Sequence, residues 1–132
     1  MFQQSVLSLH DAQRVAAAAR VEAEKNGWAV VIAVVDDGGH LMYLERMDGC
    51  QKASSRIAEK KAKSAILFKR PTKAIEDVVQ AGRNVMMVMP GAVPIEGGVP
   101  LVKDGHFLGA IGVSGVHSFQ DGVIAGAGAA AL

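Results

Sequence analysis

The sequence predicts an α/β chain of the α+β kind, with one antiparallel sheet and helices packed on it. Two hairpin signals and the helices between them carry this prediction. Asp36-Asp37-Gly38-Gly39 joins two apolar runs, and Asp104-Gly105 joins two more. The second signal is the sharper, because a two-residue type I′ turn needs φ > 0 at both positions and Asp-Gly meets that need. Helical segments lie between the hairpins, which implies antiparallel pairing rather than parallel βαβ units.

The elements follow in order. Ser8 caps a first helix, with Asp11 three residues on as a capping-box partner. Val15, Ala18, Ala19 and Glu22 continue it with helical spacing, and Asn26-Gly27 ends it. Trp28 to Val35 is an almost continuous β-branched run, the pattern of a buried central strand. His40 to Arg46 is its hairpin partner. A second helix spans about Lys52 to Phe68. Ala53, Ile57, Lys61 and Ala65 share one side, and Ala58, Ala62 and Ile66 line the next stripe. Arg70-Pro71 breaks it. Thr72 caps a third helix, Lys73 to Ala81, closed by Gly82. Arg83 to Met89 reads either as a strand or as an apolar helical turn. Val99 to Lys103 and His106 to Ser114 form the second hairpin, and a last helix runs from about Phe119 to the end.

Composition bounds the function. The 132 residues suit a single domain, residues 1–132. Half of them are hydrophobic and 20% are charged, which argues against disorder. The net charge of +1 gives no reason to expect a nucleic-acid partner. The basic stretch Lys60, Lys61, Lys63, Lys69, Arg70 reads as a solvated helix face and helix C-terminus. The lone Cys50 offers no internal disulfide and is read as a buried inert thiol. No signal peptide and no membrane span are evident, so the expected location is the cytoplasm.

Most chemical motifs are missing. There is no phosphate loop, no H-x-x-x-H pair and no C-x-x-C pair. Gly109, Gly112 and Gly115 recur every third residue, which is not the dinucleotide fingerprint. They read as close packing of the last helix or of a neighbouring subunit on the strand. His10 and His106 look exposed and without special role. His117 stands out, because it lies between a glycine-rich strand and a helix start, where free backbone N–H groups favour an anion. Glu45-Arg46-Met47-Asp48 is the densest polar cluster. Arg46 offers a bidentate clamp for a carboxylate, or alternatively a pair with Asp48 that orders the turn. Gly97-Gly98, followed by Pro100, can present bare backbone N–H groups to an oxyanion.

Several of these segments together carry a resemblance. Val34-Val35-Asp36-Asp37-Gly38-Gly39-His40, Leu44-Glu45-Arg46-Met47-Asp48-Gly49, Arg70-Pro71-Thr72-Lys73-Ala74, Gly97-Gly98-Val99-Pro100 and Gly109 to Gly115, with Gln120-Asp121 and Ala127-Gly128, resemble the GlcG/HbpS-like haem-degrading-domain family in order and spacing. The resemblance implies a profilin-like three-layer α/β/α domain with a five-stranded antiparallel sheet, and homo-oligomers from dimers to octamers. It implies haem binding or degradation. The C-terminal domain of PduO-type adenosyltransferases, and lyases acting on hydroxylaminobenzoates, are relatives. In the family the turn glycines, the Arg46–Asp48 corner, Lys61 and the glycine strand look architectural. This chain departs from its relatives at Val116-His117-Ser118-Phe119-Gln120, where they often carry small residues and proline.

Three functions compete. The first is a binder or degrader of haem or another small ligand, with His117, His40, Met42 or Tyr43 as axial-ligand candidates and His117 preferred. The second is a lyase or isomerase on a small aromatic or hydroxy acid, with His117 and Glu45 moving protons. The third is a non-catalytic accessory or sensor subunit. All share one expected site, a pocket bounded by Arg46, Met47 and Asp48, by Gly97, Gly98 and Pro100, and by the loop from Gly115 through His117 to Phe119. The small, apolar stretch Gly109 to Leu132 is the surface expected to be buried in a homo-oligomer.

Overall fold

The computed structural model covers residues 1–132. Helix α1 (Leu9–Lys25) leads into strands β1 (Val31–Asp36) and β2 (Leu41–Arg46), then helices α2 (Ser54–Leu67) and α3 (Thr72–Gln80). A 3₁₀ turn (Asn84–Met87) precedes β3 (Gly98–Lys103), β4 (His106–Ser114) and α4 (Ser118–Ala129). The four strands form one antiparallel sheet in the order β2-β1-β4-β3. α2 covers one face and α1 with α4 the other, giving three α/β/α layers. No helix is long and apolar enough to cross a membrane.

The sheet therefore has four strands, where five were expected. The segment that could have supplied the fifth, Arg83 to Met89, closes on itself: Met86 N–H donates to Arg83 and Val88 N–H to Val85. Met86 alone is buried there, so the segment has no pair of faces to cover.

Local chemistry accounts for the other elements. The Ser8–Asp11 capping box forms as read, with Asp11 N–H donating to Ser8 Oγ at 3.0 Å and Ser8 N–H to Asp11 Oδ2 at 3.4 Å. Ala12, Val15, Ala16, Ala19 and Ala23 then bury one face of α1 completely. Val31 to Val35 are fully buried because β1 is central and covered on both faces. At the first turn Asp36 Oδ1 accepts from Gly38 N–H and His40 N–H, each at 2.9 Å. Partial burial pushes this carboxyl up, but those bonds and His40 outweigh it and hold the group below its ordinary range. Asp104 and Gly105 both take positive φ, at 51° and 78°, as the type I′ reading requires.

Two expectations are corrected here. Thr72 does not cap α3. The cap position is Pro71, and the buried Thr72 hydroxyl instead accepts from Gly98 N–H at 2.9 Å. Of Gly109, Gly112 and Gly115, only Gly112 meets a helix, and that helix is α2 rather than the last one; Gly109 lies against Val35 of β1 and Gly115 against Ala29 and Val30. Gly98 and Gly112 face each other across β3 and β4. A Cβ on Gly112 would meet Ala58 O at 2.0 Å, and one on Gly98 would meet Lys61 O at 2.3 Å. The backbone of α2 rests on this glycine pair.

That contact predicts opposite outcomes for two glycine-to-alanine changes. Gly112→Ala should lower the unfolding free energy by about 3 kcal/mol or more, because backbone cannot yield as a side chain does. Gly126→Ala, at an open helical position, should raise it by about 0.5–1 kcal/mol. Urea unfolding followed by circular dichroism reads both.

Candidate functional site

The strand registers show where the expected segments go. Val31 pairs with Arg46 on one side and with Ser114 on the other. Gly98 lies beside Gly112, two residues from Ser114. The segments after β2 and β4 and the one before β3 therefore all leave the sheet at the same end. Arg46 and Ser114 are two strands apart, about 10 Å.

The segments do not line one cleft within a single chain. Arg46, Met47 and Asp48 border an open cleft of about 390 Å³ with Arg20, Glu24 and Glu45. Met47 turns back into the core, its N–H donating to Val30 O at 3.0 Å. Arg46 and Asp48 are exposed and form no ion pair with each other. Glu45 is committed: Oε2 lies 3.4 Å from the Arg20 guanidinium, and Oε1 is buried with no partner. Gly97 and Gly98 are buried, and Gly98 N–H is taken by Thr72. Pro100 sits in the edge strand β3 opposite Ala110, where a missing N–H costs no ladder bond to a further strand.

His117 occupies the N-cap position of α4 but does not use its ring for capping. Its N–H donates to Gln120 Oε1 at 3.2 Å. The imidazole is exposed and lies parallel to the Phe119 ring, with centroids 6.0 Å apart and planes 7° apart. Phe119 is 60% and Val123 48% exposed. The Glu96 side chain lies against Gly122 of α4, and Ile95, its neighbour in sequence, is exposed. The structure thus offers an apolar surface carrying a free imidazole, with Arg46 at the same end of the sheet. His40 is elsewhere, at the β1–β2 turn beside Asp36.

The polar centre of this end is a pair that the sequence reading did not place. Lys61 belongs to the basic stretch read as a solvated face, yet its side chain is only 2% exposed. Its Nζ donates to Asp121 Oδ2 at 3.1 Å and to Val113 O at 3.0 Å. Asp121 Oδ1 accepts from Val116 N–H at 3.2 Å. Burial raises the Asp121 pKa, and Lys61 and Val116 only partly offset it. The lysine passes beside Gly97, where a Cβ would lie 2.7 Å from Nζ. The available signal was Lys61's place on the stripe Ala53, Ile57, Lys61, Ala65.

Comparison with known proteins settles the kinship. Residues 7–130 match the family described as haem degrading protein HbpS-like. The chain belongs to the HbpS-like family. Protein GlcG of Escherichia coli (strain K12) is 47% identical over 109 residues, covering 83% of this chain and 81% of GlcG. The crystal structure of HbpS superposes with a TM-score of 0.91 at 34% identity, covering all of this chain and 94% of that one. A crystal structure of a PduOC:heme complex superposes with a TM-score of 0.87 at 33% identity, covering 97% and 96%. The three-layer architecture here is thus that of HbpS-like proteins, and haem-related ligand binding occurs within the family.

Removing one partner of the buried pair strands the other in a dry site. Lys61→Met should therefore cost about 3–5 kcal/mol of stability. Urea unfolding read by intrinsic fluorescence of Trp28 measures it, and a loss below about 1 kcal/mol would show the pair to be solvated.

Proposed function

We propose that this chain binds haem, or a similarly flat ligand, on the surface around His117, in a slot completed by a second copy of the chain. The observation that carries the reading is the PduOC:heme complex, a relative 33% identical and matched over 97% of this chain. The residues present fit such a group in part. His117 supplies an uncommitted imidazole, and Phe119, Val123 and Ile95 supply exposed apolar surface. One chain provides no enclosed slot there, which is the reason for the second copy. The outer stripe Phe119, Val123, Gly126 and Ala130 is free of charge, and the one acidic residue of α4, Asp121, is buried. Arg46 is the cation offered to an acidic group of the ligand. A bound haem would supply iron for gas, redox or oxidative chemistry.

The chain's own residues do the holding. His117 would hold the iron through its imidazole and Phe119 would pack against the ligand, while the buried Lys61–Asp121 pair fixes the start of α4 on which both stand. The lyase reading has weaker support, because Glu45 has one oxygen paired with Arg20 and the other buried without access to a substrate.

Haemin titration tests the proposal. The expected result is a saturable Soret shift with at most one haem per subunit, together with a dimer or larger species in light scattering. His117→Ala should abolish the shift and leave the thermal midpoint within about 2 °C, since an exposed side chain contributes little to stability. A monomer without a Soret change, or a His117→Ala variant that binds as well as the parent, would overturn it.

A further inference from the structure

The opposite end of the sheet carries a second candidate site, independent of the haem reading. The β1–β2 and β3–β4 turns meet there, and α2 ends above them. Between these elements and the N-terminal segment lies a cleft of about 450 Å³, larger than the one beside Arg46. Ile66 and Phe107 form its apolar floor, Phe2 stands at its lip, and Lys69, His106 and Gln4 supply polar groups. Phe2 is 86% exposed, so little packs against it. Asp37, also at the rim, is engaged by the Gln4 amide.

Lys69 is the informative residue. It follows α2 in the left-handed conformation, φ 52°, with Lys69 N–H donating to Ile66 O and Arg70 N–H to Ala65 O. This is the helix-ending position that glycine fills without steric cost, and lysine does not. The strain is retained while the side chain is brought over the cleft floor, with Nζ 5.5 Å from the centre of the Phe107 ring. No carboxylate pairs with this ammonium. It contacts the face of a ring instead. A cation without a carboxylate partner above an aromatic floor, with an imidazole lining the same cleft, an exposed ring at the lip and the Asp37 carboxylate tied up by Gln4, matches one kind of ligand.

We infer that this cleft binds a small carboxylate with a flat apolar body. The carboxylate meets Lys69 and the His106 imidazole, and the body lies between Phe107 and Phe2. The site is one of binding, and no reaction is assigned to it.

Titration of the ¹⁵N-labelled full chain with sodium benzoate tests the inference, with benzyl alcohol as the uncharged control. Saturable shifts of the Gly105, His106 and Phe107 amides are expected, and the alcohol should bind at least about ten-fold more weakly. Lys69→Gly and Lys69→Asn both suit the left-handed backbone. Each should fold with an unchanged or higher thermal midpoint and bind benzoate at least about ten-fold more weakly. His117→Ala should bind benzoate normally, which separates this site from the haem reading. Unsaturable shifts, equal binding of the alcohol, or undiminished affinity in the two Lys69 variants would each overturn it.

Discussion

The buried Lys61–Asp121 pair is the constraint on which the functional end of the molecule depends. Two helical layers lie on opposite faces of the sheet, and this pair joins them past the sheet's end. Lys61 comes from α2, Asp121 from the first turn of α4, and Val113 at the end of β4 accepts the lysine's other bond. A buried charge needs a partner and complete hydrogen bonding, because its desolvation costs several kcal/mol. Asp121 meets that demand through Lys61 and Val116 N–H. Burial holds the Asp121 carboxyl above its ordinary pKa despite Lys61 and Val116. The pair therefore acts as a register pin more than a source of net stability, fixing where α4 begins and so where His117 and Phe119 stand.

The glycines follow from the same geometry. Lys61 can thread from one layer to the other only where no side chain blocks it, and Gly97, at φ 136°, is that gap. α2 must sit low enough on the sheet for Lys61 to reach, and the facing pair Gly98 and Gly112 lets its backbone do so. Alanines at 58, 62 and 65 complete the close approach. These small residues are used inside the chain. The small residues left facing outward are those of the α4 stripe, where subunit packing remains the proposed use.

Much of this was legible in the sequence because it is local. The Ser8–Asp11 box, the Asp36 turn and the Asp104-Gly105 hairpin are decided by residues within four positions of one another. The β-branched run of β1 announced a strand covered on both faces. Arg46, Gly97 and Gly115, expected around one pocket, share one end of the sheet through the β2-β1-β4-β3 strand order, which no local signal announces. Long-range contacts were not legible. Thr72 looks like a cap, but its hydroxyl is claimed by Gly98, 26 residues away. Lys61 looks like part of a solvated basic face, and only its partner 60 residues on shows otherwise. The cleft at the hairpin end needs residues 2–4 folded against residues 105–107, a contact no periodicity announces. The fifth strand failed because a short apolar run satisfied its backbone by turning on itself.

Lys61 and Asp121 act as one unit joining the two layers. A double-mutant cycle with Lys61→Met and Asp121→Leu measures that directly through urea unfolding free energies. Each single change leaves a buried group unpaired, while the double change removes both charges. The double variant should be more stable than either single one, with a coupling of about 2 kcal/mol or more. Additive losses in the double variant would mean that the two side chains do not depend on each other and that the pair does not join the layers.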